Sequence, residues 1–214
     1  MILNNILFAI APLITVIVMT PVIIVIAKKV DVVAYPSQDR WHSKNTPLLG
    51  GVSIFAAIVL GTYLSSIHNG INPLVMISVV LIFFSGLYDD IKGMKPYIKL
   101  LFQIIASMMV MSTGILVGKG VLFPDIITIP ITMLWIIGIT NALNLLDNMD
   151  GLCSGISLII SSFLGILFYL GGQNDLSIIS FIVSGSTLGF LFYNFKPAKI
   201  FMGDSGSLSL GFIL

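Results

Sequence analysis

Residues 6–27 carry no charged side chain, and about 20 such residues wound as a helix are what roughly 30 Å of hydrocarbon requires. Apolar runs recur at 49–67, 73–88, 98–117, which carries Lys99 near its start, 126–143, 154–170 and 176–195, and another begins at 207. Few folds accept such a chain. Hydrocarbon offers no partner to a free backbone N–H or C=O, so apolar runs joined by short polar linkers close on themselves as helices and pack together. The composition agrees: 57% of residues are hydrophobic and 9% charged, with a mean hydropathy of +1.10, whereas a soluble domain is about 25% charged. The expected fold is an all-α, polytopic transmembrane helix bundle with seven complete spans and a truncated eighth. It forms one transmembrane domain over 1–214 that stops short at its C-terminus. The first run is too long for a secretory signal and lacks a basic flank and a small-residue cleavage site, so it is expected to be retained. Pro12 and Pro21 are kinks that a bundle tolerates.

The linkers alternate between two sides. Residues 28–48, 89–97, 144–153 and 196–206 share one side, which holds Lys28, Lys29, Arg40, Lys44, Lys92, Lys95, Lys196 and Lys199, with Lys99 at its border. Lys119 alone of the ten basic residues falls on the other side. The positive-inside rule makes the first side cytoplasmic and puts the N-terminus outside. A net charge of +1 gives no reason to expect a nucleic-acid partner, and a single cysteine, Cys153, excludes an internal disulfide. All nine acidic residues are Asp, which favours caps, turns and ligation over helix interiors. Seven of the nine, Asp31, Asp39, Asp89, Asp90, Asp147, Asp150 and Asp204, gather on the basic side, and the charge rule supplies no cause for that.

Ionisable groups at a hydrocarbon boundary are a functional-site expectation by default. The densest group is Asn141-Ala-Leu-Asn144-Leu-Leu-Asp147-Asn148-Met-Asp150-Gly151. Asn141, Asn144 and Asn148 fall at helical spacings that place their amides on one face, with Asp150-Gly151 able to cap the next helix if this one breaks at Asn148. Asp89-Asp90 end a helix. Neighbours on a helix point about 100° apart, so only one of the pair can face a given ligand, and carboxylates there oppose the helix dipole unless a cation offsets them. Gly203-Asp204-Ser205-Gly206-Ser207 opens a further helix, whose free N–H groups favour an anion. A hard carboxylate beside a phosphate suggests magnesium, with manganese as a substitute. The Gly-Asp-Ser-Gly string is shared with serine-protease loops, but such a site needs a positioned histidine base and a soluble scaffold.

Taken in order, Asp39-Arg-Trp-His-Ser-Lys-Asn-Thr-Pro-Leu-Leu-Gly-Gly51, Asp89-Asp90, the 141–152 stretch and Phe201-Met-Gly-Asp-Ser-Gly-Ser-Leu208 resemble the successive motifs of the polyprenyl-phosphate N-acetylhexosamine-1-phosphate transferases. The resemblance covers essentially the whole chain and leans toward the branch that uses UDP-N-acetylglucosamine over the muramoyl-pentapeptide branch. It implies transfer of sugar-1-phosphate from a UDP-sugar to polyprenyl (undecaprenyl) phosphate with release of UMP, in the bacterial cytoplasmic membrane, and it admits a homodimer. It also implies Asp89, Asp90, Asp147 and Asp204 as catalytic residues, and Asp204, Asp147 and Asp89 as magnesium ligands. Lys99, Asn144, Asp150, Asn194, Phe201, His42 and Lys44 would bind substrate, with Phe201 stacking on uracil and Asn194 bonding its edge. Family members continue beyond the length of this chain, so a catalytically inactive fragment is the chief alternative. A CDP-alcohol phosphotransferase would show Ala-Arg soon after 147–151, where Cys153-Ser154-Gly155 stands. A cation-coupled transporter would hold its acids at mid-membrane.

Overall fold

The computed structural model describes residues 2–34, 45–65, 70–118 and 124–214. The chain runs α1 (Ile2–Leu7), α2 (Ile10–Lys29), β1 (Val33–Ala34), β2 (Thr46–Pro47), α3 (Gly50–Leu64), α4 (Pro73–Lys92), α5 (Pro96–Ser112), α6 (Asp125–Leu146), α7 (Leu152–Leu170), α8 (Asn174–Asn194) and α9 (Gly203–Ile213). Among the described residues, Asn5–Lys29, α4, α6, α7 and α8 are long and apolar enough to cross a membrane, and α3 and α5 are shorter apolar helices. This is a multi-pass membrane protein.

Several boundaries differ from the periodicity reading, each for a local reason. The first run breaks before Ile10, which puts Pro12 in the first turn of α2, where its missing N–H needs no intrahelical partner. Asn72 caps α4 by accepting from Leu74 N at 2.9 Å, and Pro73 follows at the first helical position. At its other end α4 runs on through Asp89 and Asp90 to Lys92, stopping at Gly93, whose φ of 73° is left-handed. The last helix begins at Gly203, ahead of the expected 207.

Helix α8 is the hub, packed by α7, α2, α3 and α1. Beside Phe181, Ile182, Val183 and Phe190, its buried residues include the small or hydroxylic Ser177, Ser180, Ser184, Gly185, Ser186, Thr187 and Gly189. Such residues let backbones approach where lipid removes the hydrophobic drive for helices to associate. A side chain at Gly185 would run into the carbonyl of Ala9, and one at Gly189 would meet that of Leu13 at 2.8 Å. The second centre is α9, enclosed by α4, α6 and α3. The two-residue antiparallel ribbon, with Val33 opposite Pro47 and Ala34 opposite Thr46, returns the chain from α2 to the start of α3.

Candidate active site

The carboxylate-rich segments meet at one end of the bundle, where α4 and α6 finish and α5 and α9 begin. Lys99, in the first turn of α5, holds its ammonium between Asp89 of α4 and Asp204 of α9. Asn144 of α6 donates to the other oxygen of Asp204 at 2.9 Å and to the hydroxyl of Ser207 at 2.9 Å. Lys99 is thus the cation that offsets carboxylates at the end of α4. The group stays in reach of solvent, with side-chain exposures of 20% for Lys99, 12% for Asp89 and 27% for Asp204.

The other two aspartates of the expected catalytic set work on the backbone. Asp90 accepts from the N–H groups of Asp204 at 2.7 Å and Ser205 at 3.0 Å, one to each oxygen. Asp147, just past the end of α6, accepts from Gly203 N at 3.1 Å. Burial and the neighbouring Asp90 charge push its carboxyl well above the usual carboxylate range, against the pull of that N–H. These bonds correct one expectation: the helix N-terminus proposed for an external anion is filled by the protein's own Asp90 and Asp147 side chains, which accept from its leading N–H groups. They also explain the early start of α9.

The closeness depends on glycines, of which Gly86 carried no sign in the sequence. A Cβ at Gly86 would stand 2.5 Å from the carbonyl of Asp204, and one at Gly203 would stand 2.7 Å from a carboxylate oxygen of Asp90. Gly51 leaves room for the backbone of Gly206. Residues 47–51 lie along the loop before α9 through Phe201 N to Pro47 O at 2.8 Å, Gly50 N to Phe201 O at 3.0 Å and Gly51 N to Met202 O at 2.7 Å. The quoted motif Pro47-Leu-Leu-Gly-Gly51 held the signal, because paired glycines at a helix start mark close backbone approach.

The expected substrate residues divide. Lys99 and Asn144 join Asp89 and Asp204. Asn194 does not face outward: it is 1% exposed, accepts from Gly151 N at 3.1 Å and Ser154 Oγ at 2.9 Å, and donates to Ile200 O at 3.0 Å. Asp150 accepts from Ala198 N at 3.0 Å and does not cap α7, whose first turn has no side-chain cap. Phe201 is partly buried. Asn148 turns back to Leu145 O at 2.8 Å and leaves the amide face. His42 and Lys44 lie outside the described residues.

The oxygens of Asp89 and Asp204 converge on the Lys99 ammonium, with Met94 N and Asn144 on their other oxygens, and they are the hard ligands of the group that magnesium would use, since that ion takes one or two carboxylates and completes its shell with water and phosphate oxygens. Among the described residues no three carboxylate, histidine or cysteine side chains gather to hold a metal by themselves. Asp147, the third expected ligand, gives an oxygen to Gly203.

Residues 72–214 match the family model described as glycosyl transferase family 4. The chain belongs to that family. Its relatives within glycosyl transferase family 4 include a probable undecaprenyl-phosphate N-acetylglucosaminyl 1-phosphate transferase of Bacillus subtilis (strain 168), 39% identical over 211 residues that cover 95% of this chain and 59% of the relative. A phospho-N-acetylmuramoyl-pentapeptide-transferase of Levilactobacillus brevis is 35% identical, covering 80% of this chain and 61% of its own. A decaprenyl-phosphate N-acetylglucosaminephosphotransferase of Mycobacterium leprae is 32% identical, covering 89% and 54%. The chain therefore spans 54–61% of the length of these relatives.

Proposed function

We propose that the protein carrying this chain transfers N-acetylglucosamine-1-phosphate from its UDP derivative to a polyprenyl phosphate in the bacterial cytoplasmic membrane, releasing UMP. The observation that supports this most is the ammonium of Lys99 between Asp89 and Asp204, with Asn144 on the second oxygen of Asp204. It is a partly exposed, charge-balanced group at a helix-end boundary, where a diphosphate and a lipid phosphate can meet. In the topology that goes with it, α3 and α5 also span, making seven with α2, α4, α6, α7 and α8. Helix α9 opens an eighth, and the site faces the cytoplasm because nine of ten basic residues are on that side.

The acceptor is a phosphate monoester whose second pKa is near 6, so at neutral pH it is mostly dianionic and needs little help from a base. One of its oxygens attacks the sugar-bearing phosphorus of the donor, and the bond from that phosphorus to the UMP oxygen breaks. The obstacle is repulsion between anions. Lys99 counters it by carrying positive charge at the reacting phosphates, and Asp89 orients the acceptor. Asp204 and Asn144 hold Lys99 and the donor side in register, while Asp90 and Asp147 keep the first turn of α9 in place. Magnesium, or manganese in its stead, would be held by Asp89 and Asp204, and when bound it supplies further neutralisation of the diphosphate and the UMP leaving group.

The test is UMP release by membranes containing the protein when UDP-N-acetylglucosamine and polyprenyl phosphate are supplied, with Asp204→Asn as control. Turnover lost in the variant and on chelation is the expected result. Release with UDP-N-acetylmuramoyl-pentapeptide alone would move the protein to the other branch, and release with neither donor would remove the proposal.

A further inference from the structure

One turn deeper than the charged group, α5 and α6 are joined by a second polar contact. Gln103 Nε2 donates to Asn141 Oδ1 at 3.2 Å, and Asn141 Nδ2 donates to Gln103 Oε1 at 2.7 Å and to Ile137 O at 2.8 Å. Gln103 is 1% exposed. It follows Lys99 by four residues on α5, and Asn141 precedes Asn144 by three on α6, so each amide shares a helix face with one of the side chains gripping Asp204. The two helices therefore carry two layers: Lys99 and Asn144 above, meeting at Asp204 of α9, and Gln103 and Asn141 below.

We propose that the Gln103–Asn141 amide pair is a positioning device for Asp204, fixing the separation and axial register of α5 and α6 so that Lys99 and Asn144 meet the two oxygens of that carboxylate together. Adhesion alone does not call for it. Hydrogen bonds between helices in a bilayer add little net stability, because separated helices find other partners there, and an apolar pair of similar volume would hold the helices at least as well. Two bonds running in opposite senses add geometry. A slide of either helix by one residue, about 1.5 Å, breaks both. Phosphoryl transfer is sensitive on that scale, since a misplacement of about 1 Å can slow a reaction by about 100-fold. Among the described residues, the side chains of Gln103 and Asn141 bond each other and Ile137 O, not Lys99 or Asp204, so they act through the helices that carry the site.

The inference rests on the proposed transfer for its kinetic readout and on thermal unfolding for a readout that does not need it. Gln103→Leu and Asn141→Leu each leave one amide without its partner, and each should lower the unfolding midpoint of the detergent-purified protein by about 2–4 °C. The double leucine variant strands neither amide and should return to within about 1 °C of the wild type. Turnover should part company with stability: UMP release falls about tenfold or more in all three variants, the double included, with the KM for the UDP-sugar within about twofold. Turnover that recovers with stability in the double variant would reduce the pair to mutual satisfaction of buried amides and overturn the proposal. If the wild type releases no UMP, the proposed reaction fails on its own account. Additive single effects on the midpoint then overturn the pairing, and with recovery in the double variant its structure decides the positioning: Lys99 and Asn144 drawn apart from Asp204 uphold it, and both still meeting the two oxygens of Asp204 overturn it.

Discussion

Asp204 and Asn194 lie ten residues apart in the chain and sit in neighbouring polar clusters, yet the two clusters are built to opposite ends. Around Asp204 two carboxylates share one ammonium, and all three side chains keep part of their surface in water. Around Asn194 the groups are neutral apart from Asp150. The carboxamide is buried, and its three hydrogen bonds tie the turn before α7, a serine inside α7 and the loop before α9 into one corner. The first cluster can exchange its internal partners for a charged ligand with little loss, because water and ligand are both at hand. The second cannot, because each bond given up would leave a buried donor or acceptor bare. Polar density at a helix end is therefore not by itself a sign of a binding site. What separates the two clusters is charge that has been paired but not sealed.

The sharpest way to break this contrast is at Lys99. Lys99→Met keeps the unbranched stem of the side chain and removes the ammonium, leaving Asp89 and Asp204 without their shared cation. Loss of one preorganised electrostatic contact to a developing charge is worth about 3–4 kcal/mol, so turnover should fall by about 100-fold to 1000-fold while the protein still folds. Steady-state UMP release from purified variant and wild type gives the number. A variant within tenfold of wild type would mean that the ammonium is a structural tie like those around Asn194.

Asn194→Ala sharpens the other side. It strands the N–H of Gly151 and the carbonyl of Ile200 and leaves the hydroxyl of Ser154 only its longer bond to Gly151 O at 3.3 Å, and the expected loss is about 2 kcal/mol of stability, or a midpoint lower by about 4–8 °C. Activity per folded molecule and the KM for the UDP-sugar should stay near wild type. A tenfold rise in KM with an unchanged midpoint would restore the reading that Asn194 bonds the edge of a base.

How much of this was legible in the sequence depends on which force each residue answers to. The cost of charge in hydrocarbon made the helical, multi-pass character and the gathering of the carboxylate-rich segments at one end of the bundle legible, because apolar runs of spanning length and clustered aspartates leave little choice. The pairing of Asp89 and Asp90 was legible only to the point that their directions differ by about 100°. Which one turned to Lys99 and which to α9 was settled by the approach of α9, a tertiary event. For the same reason the free N–H groups at Gly203, Asp204 and Ser205 read as an anion site when the occupants were carboxylates 56 to 115 residues away along the chain. Gln103 went unread because one amide in an apolar run has no visible partner until α5 and α6 are side by side. Gly51 and Gly86 look like ordinary small residues of membrane helices until the backbone of α9 is laid against them.

The smallest effect, and the one that bears most closely on the boundary between the clusters, is expected at Asp150. One of its oxygens accepts from Ala198 N at 3.0 Å, which fastens the turn after α6 to the loop leading to Phe201. Asp150→Asn keeps an oxygen that can accept the same N–H and removes the charge. If Asp150 belongs with Asn194 as a fastening of the fold, the change weakens one charge-assisted bond and costs about 1 kcal/mol or less, a midpoint shift of about 2–4 °C at most. The KM for the UDP-sugar then stays within about twofold. If its second oxygen instead faces the donor, as the family resemblance implies for a uridine pocket, the midpoint hardly moves and KM rises by tenfold or more, because a hydrogen bond from a ligand to a charged acceptor is worth about 1.5–3 kcal/mol. Asp150→Ala separates the two cases further: a fastening role predicts a larger midpoint loss than Asp150→Asn with KM still flat. A donor-facing role predicts the same KM defect in both variants.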